Sequence, residues 1–198
     1  MSTTKGVTRG TATKQRILDA TRQLLERQGY AATGMKEIVE AGEAPSGSVY
    51  HFFPGGKEEL AVAALADFGR DLCAEIAGLS SVDDIPGAVE AYFIRRGTWM
   101  ADSDYEAGCP IAVGTLESTN DKIGRVCADV FGDVRDTLAT VFTDAGVEPS
   151  EAGRLAMFVL SSFEGACVIT KAFKSTEPLA NAGRMVAATL REHLPAPT

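Results

Sequence analysis

The sequence is poor in the residues that build metal, redox and catalytic sites. Its 198 residues include only four cysteines, two histidines and one tryptophan. The cysteines are scattered, with no C-x-x-C pair and no histidine cluster nearby, so neither a zinc site nor a disulfide framework is indicated. They are Cys73, Cys109, Cys127 and Cys167. We expect reduced, mostly buried thiols, no metal and no cofactor.

Catalytic motifs are also missing. The chain has no Gly-x-Gly-x-x-Gly opening a helix after a strand, no His-Glu-x-x-His and no P-loop. A Ser/His/carboxylate site would have to use His51 or His193, the second of which lies near the C-terminus. The sequence therefore predicts a protein that is not an enzyme.

Long apolar runs are absent as well. The longest, residues 60–66, is far below the roughly 20 residues that span a bilayer. The first ten residues are polar and basic, with no apolar stretch behind them, which argues against a secretory signal. We expect no membrane-spanning segment and a cytoplasmic protein.

Charge is unevenly distributed along the chain. The formal net charge is −8, yet residues 1–36 hold seven Lys or Arg against two acidic residues. That balance of +5 leaves −13 for the rest of the chain. A basic end on an acidic body suits a protein whose tip approaches a polyanion, although a solvated basic tail would have the same composition.

Apolar residues recur at helical spacing along most of the chain, and no stretch shows sustained period-two alternation. Glycine and proline interrupt this pattern and mark where helices begin and end. The predicted helices cover residues 13–28, 35–41, 46–53, 57–79, 84–101, 110–119, 120–145, 149–173 and 178–194. The predicted fold class is therefore all-α.

The first three predicted helices have the form of a helix-turn-helix. Two helices of about two turns each follow a longer amphipathic one and are separated by a turn of three or four residues. Neither short helix can hold by propensity alone, so Ile38 and Val49 must pack against Ile17. We expect a flexible basic arm at residues 1–11, a DNA-binding unit at 12–56, and a helical body for ligand binding and dimerisation at 57–198.

The start of the third helix has residue types that suit DNA. Ser46, Gly47 and Ser48 offer hydroxyls, backbone N–H groups and little bulk to phosphate oxygens and base edges. Tyr50 and His51 follow one turn later, where they can donate to phosphates. Each residue also fits an ordinary helix, as an N-cap, as half-buried packing or as a solvated side chain.

Two segments resemble a known family. Residues 29–38 (GYAATGMKEI) and 47–60 (GSVYHFFPGGKEEL) are similar, in order and spacing, to the DNA-binding domain of TetR-type transcriptional regulators. The resemblance covers about residues 12–65. The run PGGKEEL at 54–60, and GCPIA at 108–112 with Glu117, more narrowly resemble the LmrA-like branch.

Members of that branch are one-component repressors, in which a homodimer binds a palindromic operator and a small molecule in the C-terminal body releases it. The resemblance implies the same partners here: double-stranded DNA, a second copy of the chain and a small, hydrophobic or aromatic effector. It also implies DNA contacts from eight residues: Thr33, Lys36, Ser46, Gly47, Ser48, Tyr50, His51 and Lys57.

Two residues depart from the family pattern. Glu43 stands in the turn where the family usually carries glycine or another small residue, and Ser46 stands where a basic residue is common in this branch. A carboxylate near phosphate lowers affinity unless it points away, so we expect weaker nonspecific DNA binding than is usual. Ser46→Arg is accordingly predicted to tighten binding to random duplex.

The predicted helix at 149–173 is apolar on more than one face, unlike a helix with one wet side. Either it is central in the monomer, or it packs against its own body on one side and a partner subunit on the other. With the last helix beside it, two helices from each of two chains would form a four-helix interface. The residues predicted for that interface are Leu155, Val159, Phe163, Val186 and Leu190.

Aromatic residues are concentrated between residues 92 and 163. An apolar pocket with few polar groups is the usual form of a small-molecule site, although any helical core contains the same residues. Glu117 and Glu164 are the strongest polar candidates, because burying an unpartnered carboxylate is unfavourable. The predicted effector-pocket residues are Tyr92, Trp99, Tyr105, Cys109, Glu117, Phe131, Met157 and Phe158.

The helix at 57–79 would connect this pocket to the DNA, since it begins at the DNA-binding unit and continues into the body. The competing interpretation is a helical ligand-binding or scaffold protein whose degenerate helix-turn-helix no longer binds DNA. Glu43 and the net charge of −8 favour it slightly.

Overall fold

The computed structural model describes residues 9–117 and 120–195. Within these ranges the chain forms nine α-helices and one 3₁₀ turn, and no strand, which confirms the predicted all-α class. The helices are α1 (Arg9–Ala32), α2 (Met35–Ala41), α3 (Ser46–Phe52), α4 (Gly56–Ala77), α5 (Ile85–Asp102), α6 (Pro110–Glu117), α7 (Asp121–Asp144), α8 (Pro149–Phe173) and α9 (Glu177–His193).

Side-chain caps and prolines set many of these boundaries. The Asn120 side chain accepts hydrogen bonds from the backbone N–H groups of Lys122 and Ile123, at 2.9 and 3.3 Å, and so begins α7. Asp84 caps α5 in the same way through Gly87, at 2.9 Å. Proline lies in the first turn of α5, α8 and α9, where no intrahelical donor is lost.

The first helix is broken near its end rather than stopped there. Gly29 has φ 72° and ψ −179°, a conformation essentially restricted to glycine, and helical geometry resumes as far as Ala32. The start also differs from the expectation, because residues 9–11 of the predicted arm belong to α1. Residues 1–8 of that arm, and the last two residues predicted for α6, lie outside the described residues.

The three N-terminal helices share a small apolar centre. Ile17 of α1, Ile38 of α2 and Val49 of α3 are completely buried, as the sequence predicts for helices too short to stand alone. Phe53 and Leu60 close the same centre from the α3–α4 connection. Its side chains belong to one hydrophobic cluster that extends into the rest of the chain.

The larger body is a bundle in which α4 packs on α7, α5 on α9, and α8 between α7 and α9. Phe93, Met100, Phe142 and Leu190 are among its completely buried side chains. The N-terminal unit is joined to this bundle through α1, which packs against both α4 and α6. The backbone N–H of Gly108, just before α6, also donates to the carbonyl of Glu26 in α1, at 3.1 Å.

Helix α8 has an apolar surface larger than the bundle covers. Among the described helices it alone is long and apolar enough, by length and composition, to cross a membrane, and only a third of its most apolar stretch is buried. Leu155, Val159 and Phe163 face the bundle, whereas Met157 and Phe158 are exposed. An amphipathic bundle helix would carry polar residues on that outer face.

Candidate nucleic-acid interface and ligand cavity

The turn between α2 and α3 is held by backbone hydrogen bonds and one buried side chain. Gly42 donates to the carbonyl of Ile38 at 2.9 Å and ends α2. Ala44 is buried, and Pro45 is the N-cap of α3, with its carbonyl accepting from Ser48 at 2.8 Å. Glu43, between Gly42 and Ala44, is exposed and has φ 46°. This arrangement fixes the direction in which α3 leaves the turn.

Helix α3 buries Val49 and presents four of the predicted DNA contacts to solvent. Ser46, Gly47, Tyr50 and His51 are exposed, with Tyr50 52% accessible. Their spacing places them on one helical face, with the partly buried Ser48 at its edge. A β-carbon built on Gly47 would meet nothing within 4 Å, so this face is free to approach another surface closely.

The other three predicted contacts are placed differently. Thr33 is buried, and its hydroxyl donates to the carbonyl of Gly29 at 2.7 Å. The Lys57 ammonium donates to the carbonyl of Ala31 at 3.3 Å and lies 4.4 Å from the centre of the Tyr30 ring. Both side chains therefore hold the end of α1.

Lys36, in contrast, is exposed and lies 3.8 Å from Glu40 on α2.

One cation beside α3 is not among the predicted contacts. The Lys14 ammonium lies 5.6 Å from the centre of the Phe53 ring, directly after α3, and the side chain is exposed. A β-carbon built on Gly10, one turn earlier on α1, would lie 3.9 Å from the Phe52 ring. The start of α1 thus runs past the end of α3. The only sequence signal for this was the basic charge of residues 1–36, which does not single out a residue.

A cavity of about 350 Å³ lies inside the bundle, between α4, α5, α7 and α8. Phe68, Tyr92, Phe131 and Phe163 give it an aromatic wall, and Ile111 closes it from α6. A neighbouring cleft of about 610 Å³ separates α1 from α4 and α5. Tyr92 and Arg96 border both spaces, so the cavity and the cleft share a wall.

The structure brings together some of the predicted effector-pocket residues and separates others. Tyr92, Cys109 and Phe131 line the cavity. Trp99 lines the cleft, where the Arg96 guanidinium lies 3.8 Å from its ring centre. Tyr105 packs on the core outside the lining of either space.

The remaining three pocket candidates lie further away. Met157 and Phe158 are exposed on the outer face of α8. Glu117, at the end of α6, is exposed, and its carboxylate lies so close to Gly29 that a β-carbon there would collide with it.

Burial controls the titration of the groups around the cavity. Desolvation raises the pKa of Glu164, whereas the Cys109 thiol, which hydrogen-bonds to its carboxylate, and the positive charge of Arg96 lower it less. Burial also raises the pKa of Cys167 to about 12 and that of Cys109 well above its usual value. These thiols stay protonated at neutral pH and are poor nucleophiles.

The predicted dimer-interface residues are all buried within the single chain: Leu155, Val159, Phe163, Val186 and Leu190. Phe163 and Val159 also line the cavity. The large apolar residues exposed on α8 and α9 form a different set, comprising Met157, Phe158, Val168, Ile169, Phe173 and Met185. We call this set the outer apolar face.

Comparison with known proteins agrees with this arrangement over both halves of the chain. Residues 17–64 match the family described as bacterial regulatory proteins, tetR family. Residues 87–185 match the C-terminal domain of LmrA/YxaF-like transcriptional regulators. The Bacillus subtilis protein YxaF, an uncharacterised HTH-type transcriptional regulator, is 32% identical over 171 residues, 84% of this chain and 88% of that protein.

A second relative and a solved structure extend the comparison. The B. subtilis HTH-type transcriptional regulator LmrA is 24% identical over 169 residues, which cover 84% of this chain and 90% of LmrA. The crystal structure of a TetR transcriptional regulator from Legionella pneumophila has the same fold, with a TM-score of 0.76 at 21% identity over 89% of this chain and 96% of that one. The chain therefore belongs to the TetR family of bacterial transcriptional regulators, with a helix-turn-helix DNA-binding domain and an LmrA/YxaF-like C-terminal domain.

Proposed function

We propose that the protein is a one-component cytoplasmic repressor: a homodimer binds a palindromic operator through α3, and a small apolar effector in the cavity releases it. The observation that carries this proposal is the outward face of α3, where small polar residues and Tyr50 project from a tightly held helix-turn-helix. The division into a DNA-binding unit (12–56), which the start of α1 precedes, and a body (57–198) is part of the same proposal.

In the proposed complex, α3 enters the major groove with its N-terminus first. Ser46 and Gly47 lie close to base edges, and Tyr50 and His51 donate to phosphates one turn later. Lys36 and Lys14 flank the helix as exposed cations, and both lie within the basic N-terminal segment. Thr33 and Lys57 support the interface from behind, since their polar groups are bonded to the end of α1.

The outer apolar face supports the homodimer. Phe158, Ile169 and Phe173 expose 40, 45 and 72% of their surfaces, and Met185 of α9 exposes 66%. Large apolar side chains exposed together on the surface of a folded protein mark an interaction site. A twofold axis beside α8 and α9 would pair the outer apolar faces of two copies and present their α3 helices to two half-sites.

Two helices connect the cavity with the DNA-binding end. Helix α4 contributes Phe68 and Leu72 to the cavity wall and packs against α1. Helix α6 begins beside Cys109 and Ile111, which line the cavity, and ends with Glu117 against Gly29. The dimer would have two states, one with its α3 helices spaced for the two half-sites and one with a different spacing. An effector that binds the second state more tightly weakens DNA binding by the ratio of its two affinities.

Selection of an operator from random duplexes at low salt, followed by gel shifts, tests the proposal. We expect the selected site to be palindromic and Tyr50→Ala to weaken binding at least about tenfold, the loss of a charge-assisted hydrogen bond plus contact area. Thr140→Ala, at an exposed position on α7 far along the chain from α3, is the matched control and should bind normally. Indifference to every duplex would overturn the proposal and favour the ligand-binding protein without DNA activity.

A further inference from the structure

One oxygen in the cavity wall lacks a partner. Glu164 projects from α8 into the lining of the cavity, and its Oε2 atom is shielded from solvent with no hydrogen-bond partner among the described residues. Most of the lining is aliphatic or aromatic, so few other groups are available to it. A buried acceptor without a donor destabilises the folded state, and native proteins rarely leave one so.

The groups around Glu164 satisfy only one side of its carboxylate. The Cys109 thiol hydrogen-bonds to it, and the charge of Arg96 acts on it from α5. The Arg96 guanidinium is itself occupied, because it lies over the Trp99 ring and donates to the carbonyl of Gly108 at 3.3 Å.

Two other charged residues that border the cavity form an ion pair with each other. Arg95 donates to Glu75 at 2.8 Å, and both side chains lie toward the open side, with 60 and 54% of their surfaces exposed. The two charged residues that remain among the described lining residues are Arg96, which is occupied by Trp99 and Gly108, and Glu164. A ligand in the cavity would therefore meet an apolar wall and one unsatisfied hydrogen-bond acceptor, Oε2 of Glu164.

We propose that the cavity takes a compact hydrophobic ligand with one hydrogen-bond donor at its edge, and that Glu164 accepts this hydrogen bond through Oε2. The proposal rests on the effector cavity described under the proposed function and adds the group that selects the ligand. The cavity volume of about 350 Å³ lies near the lower end of small-molecule pockets, which favours a compact ligand.

Three naphthalene probes of similar size test the proposal by calorimetric titration of the full-length protein. They are 2-naphthol, with a neutral donor, naphthalen-2-ylmethanamine, with a cationic donor, and 2-methylnaphthalene, with none. We expect at least one donor probe to bind about tenfold or more tightly than 2-methylnaphthalene, because a donor satisfies the Oε2 atom of Glu164, whereas a methyl group leaves it without a partner. Whichever donor binds more tightly identifies the neutral or the cationic form of the ligand.

Two variants locate the effect. Glu164→Leu should abolish the donor preference while 2-methylnaphthalene binds as before. Glu192→Gln is the control, since it removes an exposed carboxylate of α9 that lies outside the cavity lining, and it should keep the preference. Melting curves and elution volumes of both variants without probe report whether they fold. The wild-type comparison needs no variant and can contradict the proposal by itself.

Equal binding of all three probes to the wild type, no binding of any probe, or a donor preference that survives in folded Glu164→Leu would overturn the proposal. A separate measurement addresses the proposed function. If a donor probe binds through Glu164 but leaves the affinity for the selected operator unchanged, the ligand chemistry stands and the effector role fails. If the probe weakens operator binding in the wild type and not in Glu164→Leu, both stand.

Discussion

Glu43, in the turn between α2 and α3, has a positive φ. With φ 46° it lies in the left-handed region, where a side chain costs about 1–2 kcal/mol relative to glycine. Its side chain is also exposed directly before α3, where the phosphates of a bound duplex would approach. We therefore expect two separable effects of Glu43, one on folding through its β-carbon and one on DNA binding through its charge.

Glu43→Gly is expected to raise the free energy of unfolding by about 1 kcal/mol and to tighten binding to random duplex. Glu43→Gln keeps the β-carbon and removes the charge, so it should tighten DNA binding without a comparable gain in stability. Urea unfolding and fluorescence anisotropy measure the two quantities. Equal stabilisation by both variants would show that backbone strain is not the cause.

Glu26 is a buried acid on α1. Desolvation raises its pKa, and the nearby charges of Arg96, Arg22 and Arg27 lower it by less. The folded state therefore holds this proton to a higher pH than the unfolded chain does. The resulting contribution to stability is complete below the unfolded pKa, near 4.5, and is lost as the pH rises through the folded value.

Glu26→Gln should consequently reduce the fall in unfolding free energy between pH 5 and pH 8. Urea unfolding at both pH values measures the free energy of unfolding. Glu192→Gln, at an exposed position, is the control and should keep the wild-type pH dependence. A pH dependence in Glu26→Gln as steep as that of the wild type would contradict the assignment. Glu164 contributes with the same sign, so part of the dependence should remain.

At the scale of helices, the apolar pattern of α8 predicts where the helix begins and ends but not which of its faces is buried. Its bounds, Pro149–Phe173, follow from a proline that suits a first turn and from the end of the apolar pattern. Which apolar face meets the bundle does not follow, because Phe163 and Phe158 are equally hydrophobic. Only the position of α7 and α9 decides that Phe163 is buried and Phe158 is exposed.

The polar contacts of α1 and α3 show a similar limit. The exposed positions of Ser46 and Tyr50 follow from helical spacing once Val49 is assigned to the core. Helical spacing does not predict that Lys57 and Thr33 donate to carbonyls of α1. These two hydrogen bonds depend on the break in α1 at Gly29. A local pattern finds the helices, and their mutual packing assigns the polar side chains.

The outer apolar face leads to a prediction for α8. Ile169→Glu should convert the proposed dimer into a monomer, since it places a carboxylate on the outer apolar face, where pairing of two copies would bury it. Ala128→Glu, at an exposed position on α7, is the control and should leave the mass unchanged. Light scattering coupled to size exclusion gives both masses. A wild-type monomer, or a dimer that survives in Ile169→Glu, would contradict the proposed assembly.

At the scale of the whole molecule, the proposed effector and operator DNA should change each other's affinity by the same factor. If an effector lowers the operator affinity by some factor, typically about 5- to 150-fold, then operator DNA raises the dissociation constant of the effector by the same factor. Titration of the donor probe with and without saturating operator should therefore yield the factor found in gel shifts. Unequal factors would indicate that the probe also binds outside the cavity.

The outer apolar face would also make assembly of the protein depend on its concentration in the cell. Under the proposed assembly, each newly synthesised chain carries this surface uncovered until it meets another copy. Pairing follows mass action, so at low expression much of the protein would exist as single chains that are prone to stick to other apolar surfaces and unable to span an operator. The concentration of regulator in the cell would then set the strength of repression more steeply than in simple proportion.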